Sequence, residues 1–251
     1  MKTYSVKVLN TGRITVDKSI LTRGAGYGEK ITVPVRSLAV EGNGLKMIVD
    51  TGLSADAGSY EKIAGVEIHA QETDKTMENV LESIGWKPED VDIVVNTHLH
   101  FENCGNNSLF KNAKVLVQRK EWEFALRPVL SQKQYYKSSL LANGAGSGLN
   151  LELLDGETEV EEGLVLIPTP GHSRGHQSLL INTEGGVVCY AGHAVNLMEN
   201  LSDNIIGNIV DDTKEALDSM ENIRRTAEFV IPGCDAQIEA NAENGFLRIH
   251  E

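Results

Sequence analysis

The chain has 251 residues, with 36 Asp+Glu against 23 Lys+Arg, a formal net charge of −13, and 41% hydrophobic residues. At roughly 100–200 residues per domain, this length suits a single domain over 1–251 with ample core. The acidic balance argues against nucleic acid and anionic membrane surfaces, whose recognition rests on Lys and Arg neutralising phosphates, and leaves a small-molecule partner.

No stretch approaches the roughly 20 apolar residues of a membrane helix, and the opening MKTYSVKV lacks the apolar core of a secretory signal, so a cytoplasmic protein is expected. Three well-separated cysteines, Cys104, Cys189 and Cys234, form no even disulfide framework, which agrees with a reducing compartment.

Taken in chain order, β-rich runs at 4–9, 31–40 and 46–49 are separated by turn formers, among them Asn10-Thr11-Gly12. Met77, Val80, Leu81 and Ile84, spaced three and four apart, predict a helix over 76–84, with Thr73 or Asp74 as cap and Gly85 and Pro88 beyond its end. The apolar run 91–95 suits a strand covered on both faces. A strand at 113–117, a helix at 119–126 and a further amphipathic helical stretch at 130–141 follow. Residues 143–150, rich in Gly and Ser, read as a mobile loop, and the acidic 157–163 as a solvated turn. Strands resume at 164–167, 178–182 and 187–190. Ala216, Leu217, Met220, Ile223 and Ala227 share one face of a helix over 213–227, capped by Asp211 or Asp212, before a last strand at 229–232.

Four histidines fall at predicted strand ends. His98 and His100 stand two apart on extended chain, which points both imidazoles to one side. His172 follows the turn formers Pro170 and Gly171, and His193 follows another strand. Imidazoles gathered from separate strand ends can converge on zinc, iron, copper or nickel. His176 is assigned to support of those ligands, while His69 and His250 lack company and are read as structural.

The run Thr97-His-Leu-His-Phe-Glu-Asn-Cys-Gly-Asn106 resembles the H-x-H-x-D-H loop of the metallo-β-lactamase superfamily, and Thr169-Pro-Gly-His172 resembles its next ligand motif. Asp50-Thr51-Gly52 also fits. Within the superfamily the chain is most similar to the N-acyl homoserine lactonase and pyridoxolactone hydrolase branch, through its opening hairpins, its Pro-Gly-His-Ser-x-Gly-His-x-Ser run and its length. The resemblance covers nearly the whole chain. It implies an α/β, four-layer αββα sandwich in one domain, with a metal site along one edge.

By that resemblance, the first metal would take His98, His100 and His172, all intact. The positions implied for the second metal, normally Asp, His, a bridging Asp and a late His, read Glu102, Asn103, His193 and Cys234. All four departures fall on one site, which points to re-specification rather than decay. Glu102, His193 and Cys234 can still bind metal, whereas Asn103 is a poor zinc ligand. Two arrangements stay open: a single ion on His98, His100, His172 and His193 with Glu102 as general base, or an asymmetric pair using Glu102, His193 and Cys234. The first is favoured, because loss of the bridging carboxylate removes the anion that lets two cations sit about 3.5–4 Å apart.

Where lactonases of the branch carry a Tyr, this chain has Asn196, whose amide can still donate to an oxyanion. Phe101, Leu53, Leu197 and Met198 are candidates for an apolar pocket wall. Cys104 and Cys189 suit packing, and Cys234 a ligand or site-lining thiol. The function implied is a metal-dependent hydrolase opening a lactone or related cyclic ester or amide by metal-activated water. It would use one or two zinc ions, with iron or manganese as substitutes, in a monomer or homodimer. The competing readings are a mononuclear iron enzyme of the same fold and a non-catalytic binder or sensor; metal content would separate them.

Overall fold

A computed structural model describes residues 1–59, 63, 65–69, 75–142, 149–240 and 247–248. The expected caps Thr73 and Asp74, most of the loop at 143–150, and His250 lie outside these residues.

Two sheets form the centre. The first runs β4-β1-β2-β3-β5-β6-β7, from β1 (Ser5–Asp17), β2 (Lys30–Gly42), β3 (Leu45–Val49), β4 (Val66–Ile68), β5 (Ile93–Val95), β6 (Lys114–Gln118) and β7 (Asn150–Leu154). The second runs β13-β12-β11-β10-β9-β8, from β8 (Thr158–Glu161), β9 (Leu164–Pro168), β10 (Gln177–Thr183), β11 (Gly186–Gly192), β12 (Phe229–Pro232) and β13 (Leu247–Arg248). Their inner faces share one core that includes Leu38, Met47 and Val49 from the first sheet and Leu166, Leu179 and Tyr190 from the second.

Helices close the outer faces. On the first sheet lies α1 (Met77–Ser83), whose Met77 and Leu81 are buried against Ile48 and Val94. The Thr76 side chain caps it, accepting from the Asn79 backbone N–H. On the second sheet lies α6 (Thr213–Thr226), capped by Asp212, with Ala216, Met220, Ile223 and the following Ala227 packed on Cys189, Ala191 and Val230. Fully buried Met220 and Ile223 contribute about 2 kcal/mol each to holding it there. Helix, sheet, sheet and helix thus make the four-layer αββα sandwich. Among the described residues no helix is long and apolar enough to cross a membrane.

Three expectations need correction. Asn10-Thr11-Gly12 does not end a strand: β1 runs through it on a bulge, with the Gly12 N–H donating to Asn10 Oδ1 at 3.1 Å and the register with β2 shifting between Asn10 and Arg13. The acidic 157–163 contains β8, an edge strand paired with β9, whose alternate charged side chains face solvent. The stretch at 130–141 is not one helix. It makes a 3₁₀ turn at Lys133–Tyr135 and then α4 (Ser138–Ala142), because Gln132, Tyr135 and Tyr136 turn inward towards the site.

Candidate metal centre

The site lies where strands of both sheets end. His98 and His100 follow β5, with His100 immediately before α2 (Phe101–Cys104). His172 lies between β9 and β10, and His193 follows β11. Backbone stitching holds the two sheets together here: Gln177 at the start of β10 bonds through its N–H to Thr97 O, and its Nε2 donates to Asn96 O, both at 2.9 Å.

The four predicted ligand histidines converge. Ring centroids lie 4.6 Å apart for His98 and His100, 4.7 Å for His98 and His172, and 4.9 Å for His172 with His193. Two groups of donor atoms, His98/His172/His193 and His98/His100/Glu102, each lie within 4.8 Å of one another and share His98. Glu102 Oε1 stands 3.7 Å from His193 Nδ1 and 3.9 Å from His100 Nδ1.

Hydrogen bonds behind the rings fix which nitrogen faces inward. Thr97 Oγ1 donates to Asp50 Oδ2 at 2.8 Å, so it accepts from His98 Nδ1 at 2.9 Å and leaves Nε2 as the bare lone pair. Gln132 Nε2 donates to His172 O, which turns its Oε1 towards His100 Nε2 at 3.3 Å and leaves His100 Nδ1 bare. His100 Nδ1 and His172 Nε2 then face each other at 3.2 Å. His98 Nε2 and Glu102 Oε2 are buried without a hydrogen-bond partner. Orphaned buried acceptors are costly unless something electropositive meets them, so this donor set fits a metal ion.

Burial governs the electrostatics. It depresses His98, His100 and His172 well below the usual imidazole value and His193 to about 4, which keeps their lone pairs unprotonated. The same burial pushes Glu102 up to about 7.

Around the centre stand residues that only the fold discloses. Glu121, buried in the first turn of α3 (Arg119–Leu126), accepts from Leu99 N and Tyr136 OH through Oε1 and from Ser173 Oγ and Gly175 N through Oε2, at 2.7–3.2 Å. One carboxylate therefore ties the loop of His98 and His100 to the turn of His172. Glycine permits the closeness: a Cβ on Gly175 would lie 2.0 Å from Glu121 N, and one on Gly171, at φ +129°, 2.4 Å from Ala216 N in α6. Nothing in the sequence spacing marks Glu121, since its partners come from three separate segments.

The remaining candidates divide. His176 is spent on support, Nδ1 paired with Thr169 Oγ1 and Nε2 accepting from His193 N. Asn103 is turned to Asp50, its Nδ2 donating at 2.9 Å. Cys234 Sγ lies 3.6 Å from His193 Nε2. Cys104 donates its thiol proton to Leu99 O and Cys189 is fully buried, both packing residues as expected. His69 lies outside the cluster, with Nε2 2.7 Å from Thr15 Oγ1.

A pocket opens on the centre past Glu102, His172, His193, Asn196 and Cys234. Its other walls are Ile14, Val16, Ile20, Leu21, Val66, Ile209, Phe101 and Tyr135, and it is narrow and continuous with solvent. Of the four apolar residues expected to line it, Phe101 does; Leu53 and Leu197 pack in the adjoining core and Met198 packs beneath α6. The sequence could not reveal β1 and β4 as walls, because their contribution depends on how the long hairpin curls over the site.

Against known proteins, an N-acyl homoserine lactonase of Bacillus cereus is 34% identical over 201 residues, 77% of each chain. The N-acyl homoserine lactonase AttM of Rhizobium radiobacter is 24% identical over 250 residues, 93% of this chain and 94% of its own. A solved N-acyl homoserine lactone hydrolase, with N-hexanoyl-L-homoserine bound at its catalytic metal centre, matches with a TM-score of 0.83 at 27% identity, covering 96% of this chain and 97% of that one. A family model described as the metallo-beta-lactamase superfamily matches residues 32–233, most of the sandwich and every candidate ligand but Cys234 at its far edge. The chain belongs to the metallo-beta-lactamase superfamily.

Proposed function

We propose that the protein is a metal-dependent hydrolase that opens the ring of N-acyl homoserine lactones or close analogues. The observation that carries this reading is an aliphatic pocket leading directly onto a cluster of buried imidazoles and a carboxylate with one unpaired oxygen. Branched side chains from β1, β4 and the turn at Ile20 and Leu21 suit an acyl chain. The likeness to relatives named for this activity supports the same substrate class.

His98, His100, His172 and His193 would hold the metal, and zinc is our assignment for a donor set rich in neutral nitrogen, ahead of iron or manganese. When bound, the metal supplies Lewis-acid polarisation of the ester carbonyl and acidifies water. Glu102, a pocket-lining residue with Oε2 unpaired, takes the proton of the attacking water and returns it to the departing ring oxygen. Water thus adds across the ester bond, giving a carboxylic acid and a free hydroxyl. Asn196, buried at the pocket wall, donates its amide to the oxygen that gains charge. The aliphatic wall keeps bulk water from the reacting bond.

We further place the protein in the cytoplasm, where three free, buried cysteines stay reduced. We carry a homodimer as its assembly, on the exposed Leu126 and Leu130 at the end of α3. The direct test is ring opening of N-acyl homoserine lactones of graded chain length by metal-loaded enzyme, followed by mass spectrometry of the acid product. Turnover lost in His98→Ala is expected; intact lactone at every chain length overturns the assignment.

A further inference from the structure

We propose that this centre holds one metal ion per chain, with His98 as the ligand common to its two donor groups and with Asn103 and Cys234 as positioning residues rather than ligands to a second ion. The inference deepens the hydrolase reading and rests on its assignment of a metal to this cluster.

Three observations converge on it. Among the described residues, the two groups of converging donors share His98, and neither includes Cys234 or Asp50. His98 offers one ligand atom, so the two groups cannot each hold an ion of its own. Next, two dications a few ångströms apart need anionic ligands between them. Glu102 is the carboxylate that faces the imidazoles, for Asp50 has both oxygens engaged by Thr97, Asn103 and Tyr190. Asn103 leaves Oδ1 buried without a partner, a neutral acceptor that adds no charge to offset a second cation. Finally, Cys234 has a use that needs no metal. Its sulfur stands within hydrogen-bond range of His193 Nε2, which leaves Nδ1 on the side of Glu102 and the other imidazoles. The thiol thereby sets the orientation of a ring that projects further than the carboxylate it replaces in the superfamily pattern.

Elemental analysis of the purified enzyme, and titration of the stripped enzyme with cobalt(II), read the count directly. One ion per chain at saturation is expected, without a thiolate-to-cobalt charge-transfer band. The count should stay at one in Cys234→Ser, Asn103→Ala and Glu102→Gln. His193→Ala should weaken cobalt binding by more than roughly 100-fold, beyond what loss of a residue behind a ligand produces. Two ions per chain, a charge-transfer band that disappears in Cys234→Ser, or undiminished affinity in His193→Ala overturns the proposal. The two readings fail separately: one ion without lactone opening removes the activity and leaves this inference, whereas two ions with turnover does the reverse.

Discussion

Glu102 and Glu121 are both buried glutamates within reach of the same loops, and they differ in what meets their oxygens. Glu121 receives four donors, two on each oxygen, while Glu102 sets Oε1 beside His100 and His193 and keeps Oε2 bare. Burial pushes both carboxyls above their usual range, so the shift alone does not separate them. Partners do. A buried carboxylate with every lone pair engaged holds the structure together, and one left open is available for proton transfer.

The sharpest way to test this comparison removes what Glu102 faces. His98→Ala takes away the donor shared by both ligand groups, and bound metal and turnover should fall to background, measured by elemental analysis and lactone assay. Metal retained undiminished would sink the site assignment. Glu102→Gln should next lower kcat by about 10²–10⁴-fold with the fold intact.

The same substitution has a pH signature in the metal-free protein. The folded chain keeps the Glu102 proton up to about pH 7, but the unfolded chain only to about 4.5. The stability linked to protonated Glu102 is therefore whole below pH 4.5 and lost as pH rises towards 7. Glu102→Gln, which cannot ionise, should gain on the wild type across that window by on the order of 3 kcal/mol, read from denaturant unfolding at each pH. A constant difference would break the argument.

Glu121→Gln should behave oppositely. It presents an NH₂ to two of the four donors and should cost on the order of 3 kcal/mol in unfolding free energy at neutral pH. Equal stability in both variants would erase the contrast. Smallest of all, Val66→Ala should raise KM for long acyl chains roughly fivefold, about 1 kcal/mol of lost burial, and leave short chains unaffected.

Much of this architecture is legible locally. The helix over 119–126 and the strand at 229–232 form as their patterns dictate: the helix carries its own periodicity, and the strand is a short apolar run with Val230 facing one core layer and Ile231 the other. The clustering of the histidines is legible for a similar reason: His98, His100, His172 and His193 each follow an apolar run, and the strand ends meet along one edge of the sandwich. What sequence hides is decided at a distance. The periodicity at 130–141 is overridden because Gln132 is drawn in to orient His100. Edge strand β8 looks like a charged turn, because half of it never needs to be apolar. The pocket wall belongs to Ile14 and Val16 only once β1 folds across the site.

The close approach of Gly175 to the first turn of α3, and of Gly171 to α6, also bears on how this protein can vary. A methyl group at either place would meet backbone nitrogen at 2.0 or 2.4 Å, and backbone cannot step aside as a side-chain tip can. The pocket walls are free to vary while these turns stay fixed. A genetic screen for chains that no longer bind metal should therefore recover changes at Gly171 and Gly175 alongside the histidines, although neither glycine touches the centre.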